Sequence, residues 1–245
     1  MSFMKNKHVI SVEGSLIIED ENLLNNFSLR VNKGTWTTIL GQSGVGKSTL
    51  LKLIAGLEIP GKFNGNVNIN NINKRTFSWM AQDDLLLPWM NIIRNVCLGQ
   101  ILRNEKLDYR KAEKLLQKVK LKNLSTQLPE TLSEGMRQRV ALARTLMEET
   151  EIVLMDEPFS SLDYVTRSYI QSLSRELLKN KTVIMVTHDP TEALILSNNL
   201  LLIENKRLTE LKLPNSEPIR SINQNNFSKY YEKTIKKLQQ AHIES

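Results

Sequence analysis

The stretch that decides the fold is GQSGVGKST at residues 41–49, which lies between apolar runs at 36–40 and 47–55. It fits the pattern G-x-x-x-x-G-K-[ST], in which glycines let the backbone turn tightly and aim its N–H groups at phosphate oxygens. The flanking runs predict a strand that enters the loop and a helix that leaves it, and the helix start adds its positive end to the anion site. We therefore predict a phosphate-binding loop, with Lys47 at the terminal phosphates of a nucleotide and the Ser48 hydroxyl on Mg²⁺.

Strand-like and helix-like patterns alternate on both sides of this loop. Short apolar or alternating runs predict strands, and apolar residues at helical spacing predict helices. The predicted strands lie at 8–13, 27–40, 66–70, 76–81, 152–155 and 182–186, and the predicted helices at 47–55, 135–148 and 163–179. Strands that alternate with helices are typical of an α/β fold with a parallel-sheet core.

Two segments depart from this alternation. Residues from about 84 to 132 have helical spacing, which predicts an inserted helical subdomain, with Asp108 as the cap of one helix. We expect the main domain to span 1–204 and a basic C-terminal extension to span 205–245. The extension is predicted to begin irregularly and to end in a helix with an apolar face formed by Phe227, Tyr230, Tyr231, Ile235 and Leu238. We favour docking of this helix on its own domain over contact with a partner subunit or a membrane surface.

Composition excludes some classes of protein. The 245-residue chain is 40% hydrophobic and 24% charged, as in ordinary globular proteins, and its single cysteine, Cys97, permits no intrachain disulfide. No apolar run approaches the roughly 18 residues of a membrane helix, and Met1–Lys7 lacks the apolar core of a signal peptide. We therefore expect a soluble chain whose membrane role, if it has one, comes through a partner.

The net charge of +7 is concentrated in part at the C-terminus, where residues 205–245 hold eight Lys or Arg and four Asp or Glu, a balance of +4. Basic chains often meet nucleic acid or anionic membranes. A solvated charged face is the simpler interpretation, and we favour it.

Two acids follow a buried strand pattern. The run Ile152–Met155 leads into Asp156 and Glu157, at a strand end where open parallel sheets bind ligands. We predict that Asp156 holds Mg²⁺ through water and that Glu157 polarises an attacking water. His188 follows another strand, at 182–186, and would hold the phosphate and this water in line if that strand lies beside the first.

These residues resemble one family closely, the ABC-transporter ATPase subunits, over about residues 8–204. Gln82, in MAQD at 80–83, resembles the Q-loop; LSEGM at 132–136 resembles the signature motif, and QRVALAR at 138–144 continues it. SLD at 161–163 resembles the D-loop, and His188 the switch histidine. The resemblance implies a P-loop NTPase core with an antiparallel β subdomain and an inserted helical subdomain.

The resemblance also implies a mechanism. Two copies would face head to tail as a homodimer, each ATP lying between the P-loop of one copy and the signature motif of the other. The implied catalytic residues are Glu157, His188, Gln82 and Lys47. The implied nucleotide contacts are Gly41, Ser43, Gly44, Gly46, Lys47, Ser48, Thr49, Ser133, Gly135 and Asp163, and the implied Mg²⁺ ligands are Ser48, Gln82 and Asp156.

A narrower resemblance concerns the transported solute. LLLPWM at 85–90 and DEPFSSLD at 156–163 resemble the nitrate, sulfonate and taurine importer branch, and MAQDDLLLPW at 80–89 with ARTLME at 143–148 is most similar to ATPases for hydroxymethylpyrimidine, a thiamine precursor. This implies a separate transmembrane permease that docks near Gln82 and Leu85–Met90, a solute-binding protein, and a peripheral location on the cytoplasmic side of the inner membrane. An exposed Trp89 would favour that docking.

Two positions depart from the family pattern. Glu134 stands where the signature motif usually has glycine; we expect it to point outward from the helix start, so that ATP is still hydrolysed. The family commonly stacks adenine on an aromatic residue near the first hairpin, whereas Leu16, Ile17 and Ile18 are aliphatic. We therefore expect weak selectivity for the base.

The sequence disfavours three other functions. A soluble ABC ATPase that acts on nucleic acid or ribosomes usually has two ATPase domains or long coiled-coil insertions, and only the basic tail favours it here; we expect no nucleic-acid partner. A small-molecule kinase has no use for the signature motif, the D-loop or the switch histidine. A non-hydrolysing subunit is disfavoured because Lys47, Asp156, Glu157 and His188 are all present.

Overall fold

The computed structural model describes residues 8–70, 76–224 and 226–243. The chain divides into two compact units: the first comprises residues 1–74 and 178–245, and the second comprises residues 75–177. The strands are β1 (His8–Ile18), β2 (Glu21–Asn32), β3 (Trp36–Leu40), β4 (Lys62–Ile69), β5 (Phe77–Met80), β6 (Ile152–Asp156), β7 (Thr182–Thr187), β8 (Asn199–Glu204) and β9 (Arg207–Leu211). The α-helices are α1 (Lys47–Ala55), α2 (Ile92–Val96), α3 (Leu98–Leu102), α4 (Tyr109–Lys118), α5 (Glu134–Met147), α6 (Tyr164–Leu177), α7 (Pro190–Leu196) and α8 (Phe227–Ile243).

The first unit contains an antiparallel sheet in the order β2-β1-β4. β1 and β2 are joined by a two-residue turn, in which Glu19 and Asp20 have φ angles of +50° and +62°. Two consecutive residues with positive φ form the turn whose twist matches that of paired strands. This sheet is the antiparallel β part that the family resemblance implied.

The same unit contains the strands that carry the phosphate-binding loop. β3 lies between β7 and β8 and is parallel to both, and all five of its residues are buried. Leu40, at the end of β3, pairs with Thr187, at the end of β7. Because parallel strands end at the same edge, the loop after β3 and the segment after β7 emerge together.

The C-terminal extension was predicted to begin irregularly, and this was wrong. β9 pairs antiparallel with β8 through a two-residue turn at Asn205 and Lys206, with φ angles of +51° and +57°. The sequence RLTEL at 207–211 has only two apolar residues, so an edge strand there has a weak pattern.

The last helix packs on its own unit, as we expected. Phe227 belongs to a buried cluster with Leu40, Ala193, Leu194, Leu200, Leu202 and Leu211, and Tyr230 and Leu238 pack against it. Upstream of α8, the buried Arg220 donates from Nη1 to the carbonyl oxygens of Leu194 and Ser197, both at 2.8 Å. Burial lowers the pKa of this guanidinium, while the charge of Glu217 opposes that effect. The chain between β9 and α8 is thereby tied to the end of α7.

The second unit combines two parallel strands, β5 and β6, with helices. The stretch predicted to be helical, 84–132, contains α2, α3, α4 and a short 3₁₀ turn at Pro129–Thr131. Asp108 accepts the backbone N–H of Lys111 at 2.9 Å and caps α4, which confirms that prediction.

Throughout residues 8–70, 76–224 and 226–243, no helix is both long enough and apolar enough to cross a membrane.

The cysteine of the second unit provides a chemical test of this packing. Cys97 is fully buried between α2 and α3, and burial, followed by the negative charge of Asp108, raises the thiol pKa from 9.0 to about 11, although Lys111 acts against the rise. Because the thiolate is the reactive form, a rise of two units leaves about a hundredfold less of it at pH 8. We expect iodoacetamide to label the native chain at least about a hundredfold more slowly than the chain in guanidinium. Labelling within about tenfold of the unfolded rate would contradict the packing.

Candidate functional site

Glycine is required at two positions of the phosphate-binding loop. Gly44 and Gly46 have φ angles of +84° and +95°, in the left-handed region that other residues rarely adopt. A Cβ atom at Gly46 would overlap the side chain of Leu23. Gly46 is also the N-cap of α1, and its carbonyl oxygen accepts the N–H of Leu50 at 2.9 Å. The loop therefore delivers its backbone to the start of α1 in a shape that side chains would prevent.

Lys47 lies across this loop. Its side chain is buried, with 4% exposed, and Nζ donates to the carbonyl oxygen of Gln42 at 2.7 Å. Ser43 and Gly44 face solvent, and Ser48 and Thr49 in the first turn of α1 are half-buried. The Lys47 ammonium group, the glycine-rich backbone of the loop and the start of α1 thus lie close together, and this combination suits a polyphosphate anion.

His188 emerges beside the same loop. The N–H of Gly41 donates to the carbonyl oxygen of Thr187 at 3.3 Å, and His188 follows as an exposed side chain. The Thr187 hydroxyl donates to Glu192 at 2.8 Å and accepts the N–H of Asp189 at 3.0 Å. These bonds fix the turn after β7, so His188 is held at the edge where the loop begins.

A cavity of about 530 Å³ adjoins the loop on its other side. It lies between the β1–β2 hairpin tip, the β8–β9 hairpin tip, the loop and the C-terminal helix. Its lining residues are Ile18, Glu19, Glu21, Asn22, Leu23, Gln42, Gly44, Val45, Ile203, Asn205, Lys206 and Ala241. Among these residues none is aromatic, which agrees with the aliphatic hairpin noted in the sequence. The contributions of the second hairpin and of Ala241 were not predicted, because they are distant in sequence from every motif.

The signature motif of the second unit begins α5. Ser133 is its N-cap, and its hydroxyl oxygen accepts the N–H of Met136 at 3.3 Å. Glu134 is exposed in the first helical turn, where an acidic side chain interacts favourably with the helix dipole. Gly135 is buried, and a Cβ there would overlap Cγ2 of Thr166 in α6. Glu134 is therefore accommodated at the surface, whereas Gly135 is required by close packing.

The two acids stand at the end of β6. Asp156 is its last residue and is partly exposed. Glu157 has a φ of +45°, which is rare for a residue with a long side chain, and its carbonyl oxygen accepts the Ser160 hydroxyl at 3.0 Å. A strained backbone conformation of this kind persists only where the surrounding structure maintains it, and such conformations cluster at functional sites.

Asp163 immediately precedes α6. Its Oδ1 accepts the N–H groups of Val165 and Thr166 at 3.0 and 3.1 Å. Hydrogen bonds from Thr166 and then Val165 lower the pKa of this carboxyl, so it is ionised at neutral pH. Thr166 therefore contacts Asp163 and also packs where Gly135 leaves room, which links the D-loop to the signature motif.

Side chains from α5 hold the segment that contains Gln82. Gln138 Nε2 donates to the Gln82 carbonyl oxygen at 2.8 Å, while the Gln82 side chain is exposed. Arg144 donates to the carbonyl oxygens of Asp84 and Leu85 at 2.6 and 2.8 Å, and Arg137 Nε pairs with the Asp84 carboxylate at 2.8 Å. Gln138 and Arg144 belong to the QRVALAR segment that continues the signature motif. The sequence alone did not reveal that they hold the backbone of Gln82, Asp84 and Leu85.

Asn95 holds the next part of the chain. It is fully buried, accepts the N–H of Leu87 at 2.8 Å, and donates to the carbonyl oxygens of Leu87, Met90 and Asn91. One amide thus satisfies several backbone groups of an irregular loop. The loop in turn leaves Leu85 and Trp89 exposed, by 59% and 73%.

The predicted site residues divide between the two units. The first unit brings together the loop residues 41–49 and His188, and the second contains Gln82, Ser133, Gly135, Asp156, Glu157 and Asp163. In the part of the chain that the structure describes, no group of three or more His, Cys, Asp or Glu side chains is placed to hold a metal.

The packing at Gly135 predicts a specific pattern of stabilities. Gly135→Ala should lower the free energy of unfolding by about 1–2 kcal/mol, because overlap with Thr166 outweighs the gain of about 1 kcal/mol in helix propensity. Thr166→Ser removes Cγ2 but retains the hydroxyl, so the double variant should recover most of the loss. Urea unfolding of the four proteins would measure this. An equal loss in the single and double variants would show that Thr166 is not the obstacle.

Comparison with known proteins agrees with the family that the sequence motifs resemble. The family model described as ABC transporter matches residues 24–160. An uncharacterised ABC transporter ATP-binding protein of Haemophilus influenzae is 39% identical over 86% of this chain and 90% of its own length. The aliphatic sulfonates import ATP-binding protein SsuB 1 of Rhodococcus jostii is 40% identical over 81% of this chain and 80% of its own. The thiamine import ATP-binding protein ThiQ of Haemophilus influenzae is 37% identical over 81% and 96%, respectively.

Solved structures are also similar. A putative metal-chelate type ABC transporter in an inward-facing conformation matches with a TM-score of 0.72 and 25% identity, over 92% of this chain and 89% of that one. CbiO1 from Clostridium perfringens, part of the ABC transporter complex cbiONQ, matches with a TM-score of 0.73 and 25% identity, over 83% and 88%. Since the family model spans the phosphate-binding loop and the signature motif, and relatives of 37–40% identity cover more than four fifths of the chain, the chain belongs to the ABC transporter family, as an ATP-binding subunit that hydrolyses ATP.

Proposed function

We propose that two copies of this chain form a homodimer that hydrolyses ATP to import a small organic solute through a separate membrane permease. The observation that carries the proposal is the open start of α5. Ser133 is exposed there as the N-cap, and the N-terminal turn of a helix binds anions. An anion site that faces outward suits a nucleotide carried by a second copy.

The surface next to this helix start supports self-association. Tyr164, Val165 and Tyr169 of α6 are exposed by 72%, 75% and 43%, directly after Asp163. Apolar side chains grouped on a surface are typical of interfaces between proteins. Thr166, which follows Val165 in the first turn of α6, packs against Gly135, so these exposed side chains lie next to the signature motif.

The proposed roles of the site residues rest on the family resemblance together with their chemistry. Gly41, Ser43, Gly44, Gly46 and Thr49 would surround the phosphates with Lys47, and Ser133, Gly135 and Asp163 would contact the nucleotide of the other copy. Glu157 would accept a proton from the attacking water, and His188 would hold that water and the terminal phosphate in line.

Mg²⁺ suits the oxygen donors that the chain offers. Ser48, Asp156 and Gln82 provide a hydroxyl, a carboxylate and an amide oxygen, all on residues that are at least partly exposed. Mg²⁺ in nucleotide sites uses few protein ligands and completes its shell with phosphate oxygens and water. When bound, it would neutralise charge that develops on the phosphates.

The permease is proposed to dock on the loop at Leu85–Met90. The side chains of Leu85 and Trp89 are exposed, and Trp89, Met90, Asn91, Arg94 and Leu128 line a shallow groove. Asn95 and Arg144 fix the backbone beneath them, so the surface is preorganised and little ordering would oppose binding. A permease partner would place the chain at the cytoplasmic side of the cell membrane. We expect the complete importer to include a solute-binding protein as well.

The solute is proposed from relatives. Those named above are import proteins for aliphatic sulfonates and for thiamine. The segments at 80–89 and 143–148 favour hydroxymethylpyrimidine, a thiamine precursor, whereas those at 85–90 and 156–163 favour a sulfonate-type or nitrate-type solute.

The basic tail gives no support to a nucleic-acid function. Arg220 is buried against carbonyl oxygens, and Lys237 pairs with Glu204 at 3.0 Å. The tail thus uses part of its charge to attach to its own unit.

Hydrolysis across protein concentration tests the shared-site mechanism. Glu157→Gln should lower kcat at least about a hundredfold, because it removes the proton acceptor, and the variant should still bind ATP and accumulate as a dimer. Activity of the unaltered chain should rise more than linearly with protein concentration. The measurement is phosphate release with Mg²⁺, with sizing chromatography beside it. Linear activity, or an unimpaired variant, would require another base or another assembly.

Docking through the loop predicts a selective loss of membrane attachment. The double variant Leu85→Ala/Trp89→Ala should reduce the fraction of the chain that sediments with membranes of the source cell at least about tenfold, since exposed aromatic anchors dominate binding. Leu102→Ala is the matched control, because Leu102 is 76% exposed elsewhere in the second unit. ATP hydrolysis by the isolated protein should be unchanged in both. Equal attachment of both variants would place the permease on another surface.

A further inference from the structure

The end of α8 is fastened beside the phosphate-binding loop by polar contacts. Gln42 Nε2 donates to the carbonyl oxygen of Leu238 at 3.1 Å, and Lys237 Nζ pairs with Glu204 Oε1 at 3.0 Å. The carbonyl oxygen of the same Gln42 accepts Lys47 Nζ. One residue of the loop therefore contacts both the ammonium group of Lys47 and the C-terminal helix.

This fastening brings Ala241 into the wall of the 530 Å³ cavity. Ala241 lies three residues after Leu238, on the same helical face, and it is half-buried. The cavity persists with α8 in place, and its volume falls within the range of ordinary ligand pockets. The helix thus forms one wall of the cavity and does not fill it.

The cavity is placed to receive the base of a nucleotide whose phosphates lie on the loop. Gly44 and Val45 belong both to the loop and to the cavity lining, so a molecule bound through phosphate extends directly into it. Ile18, Leu23 and Ile203 offer aliphatic surface, whereas Glu19 and Glu21 offer acceptors for base N–H groups. With no aromatic side chain among the lining residues, apolar cover must come from several elements.

We propose that α8 forms a wall of the nucleotide site and contacts the base through its face at Ala241. This inference rests on the proposed binding of a nucleotide by the loop. It assigns the C-terminal extension a direct part in nucleotide affinity, exerted within one copy of the chain.

The test uses the full chain with two probes, ADP and pyrophosphate, which share two phosphates and differ by the nucleoside. Ala241→Glu should raise the Kd for ADP about tenfold, because it introduces a bulky charged group at the base wall, and it should change the Kd for pyrophosphate less than about twofold. Gln240→Glu is the matched control: it adds the same charge at the adjacent exposed position and should change both constants less than about twofold. Titration calorimetry measures all six constants.

A second variant tests the same wall without introducing a charge that could disturb folding. A chain that ends at Gln239 loses Ala241 but keeps Phe227, Tyr230 and Leu238, which pack on the core. It should melt within a few degrees of the full chain and bind ADP at least about threefold more weakly, with pyrophosphate binding unchanged.

Each remaining outcome identifies which idea fails. If the unaltered chain binds neither probe, the proposed nucleotide site itself is wrong. If it binds ADP and the shortened chain binds ADP equally well, α8 is not a wall of the site. Tighter ADP binding by the shortened chain would mean that α8 obstructs the site, and an equal loss for ADP and pyrophosphate would mean that it acts on the phosphates. Either result would overturn the inference.

Discussion

The parallel pairing of β3 with β7 is the constraint on which the first unit depends. It sets the ends of two strands side by side, so that the N–H of Gly41 reaches the carbonyl oxygen of Thr187. The glycine loop and His188 then leave the sheet at one edge, although 140 or more residues separate them in the chain. Because β3 is buried on both faces and paired on both sides, this edge is rigid, which suits a site that must present fixed donors to phosphate.

In the second unit, α5 is the corresponding organiser. Its start carries Ser133 and Gly135, and its later turns carry the side chains that hold the chain from Gln82 to Leu85. A shift of this helix would therefore move both the signature motif and the exposed loop next to Asn95. α5 therefore connects the signature motif at its start with the loop at Leu85–Met90, which its later turns support.

The C-terminal extension is integrated with the first unit at three levels. β9 completes the sheet, Arg220 ties the following chain to α7, and α8 packs its apolar face on the core. The end of α8 lies beside the loop, where the Leu238 carbonyl oxygen accepts the Gln42 side chain and Ala241 lines the cavity. A segment that is read from its composition only as a basic tail is thus part of the cavity beside the P-loop.

Local patterns in the sequence were sufficient for the loop at 41–49, most of the alternation of strands and helices up to β7, the cap at Asp108 and the motifs of the family, since each depends on residues close together in the chain. They did not predict α7 or β8. The edge strand β9, the buried amide of Asn95, the room that Gly135 leaves for Thr166 and the position of Ala241 depend on partners far away in sequence. Their residue types are ordinary, and their roles come from long-range packing. These roles are determined by backbone pairing and burial, which cannot be inferred from a short segment of the sequence.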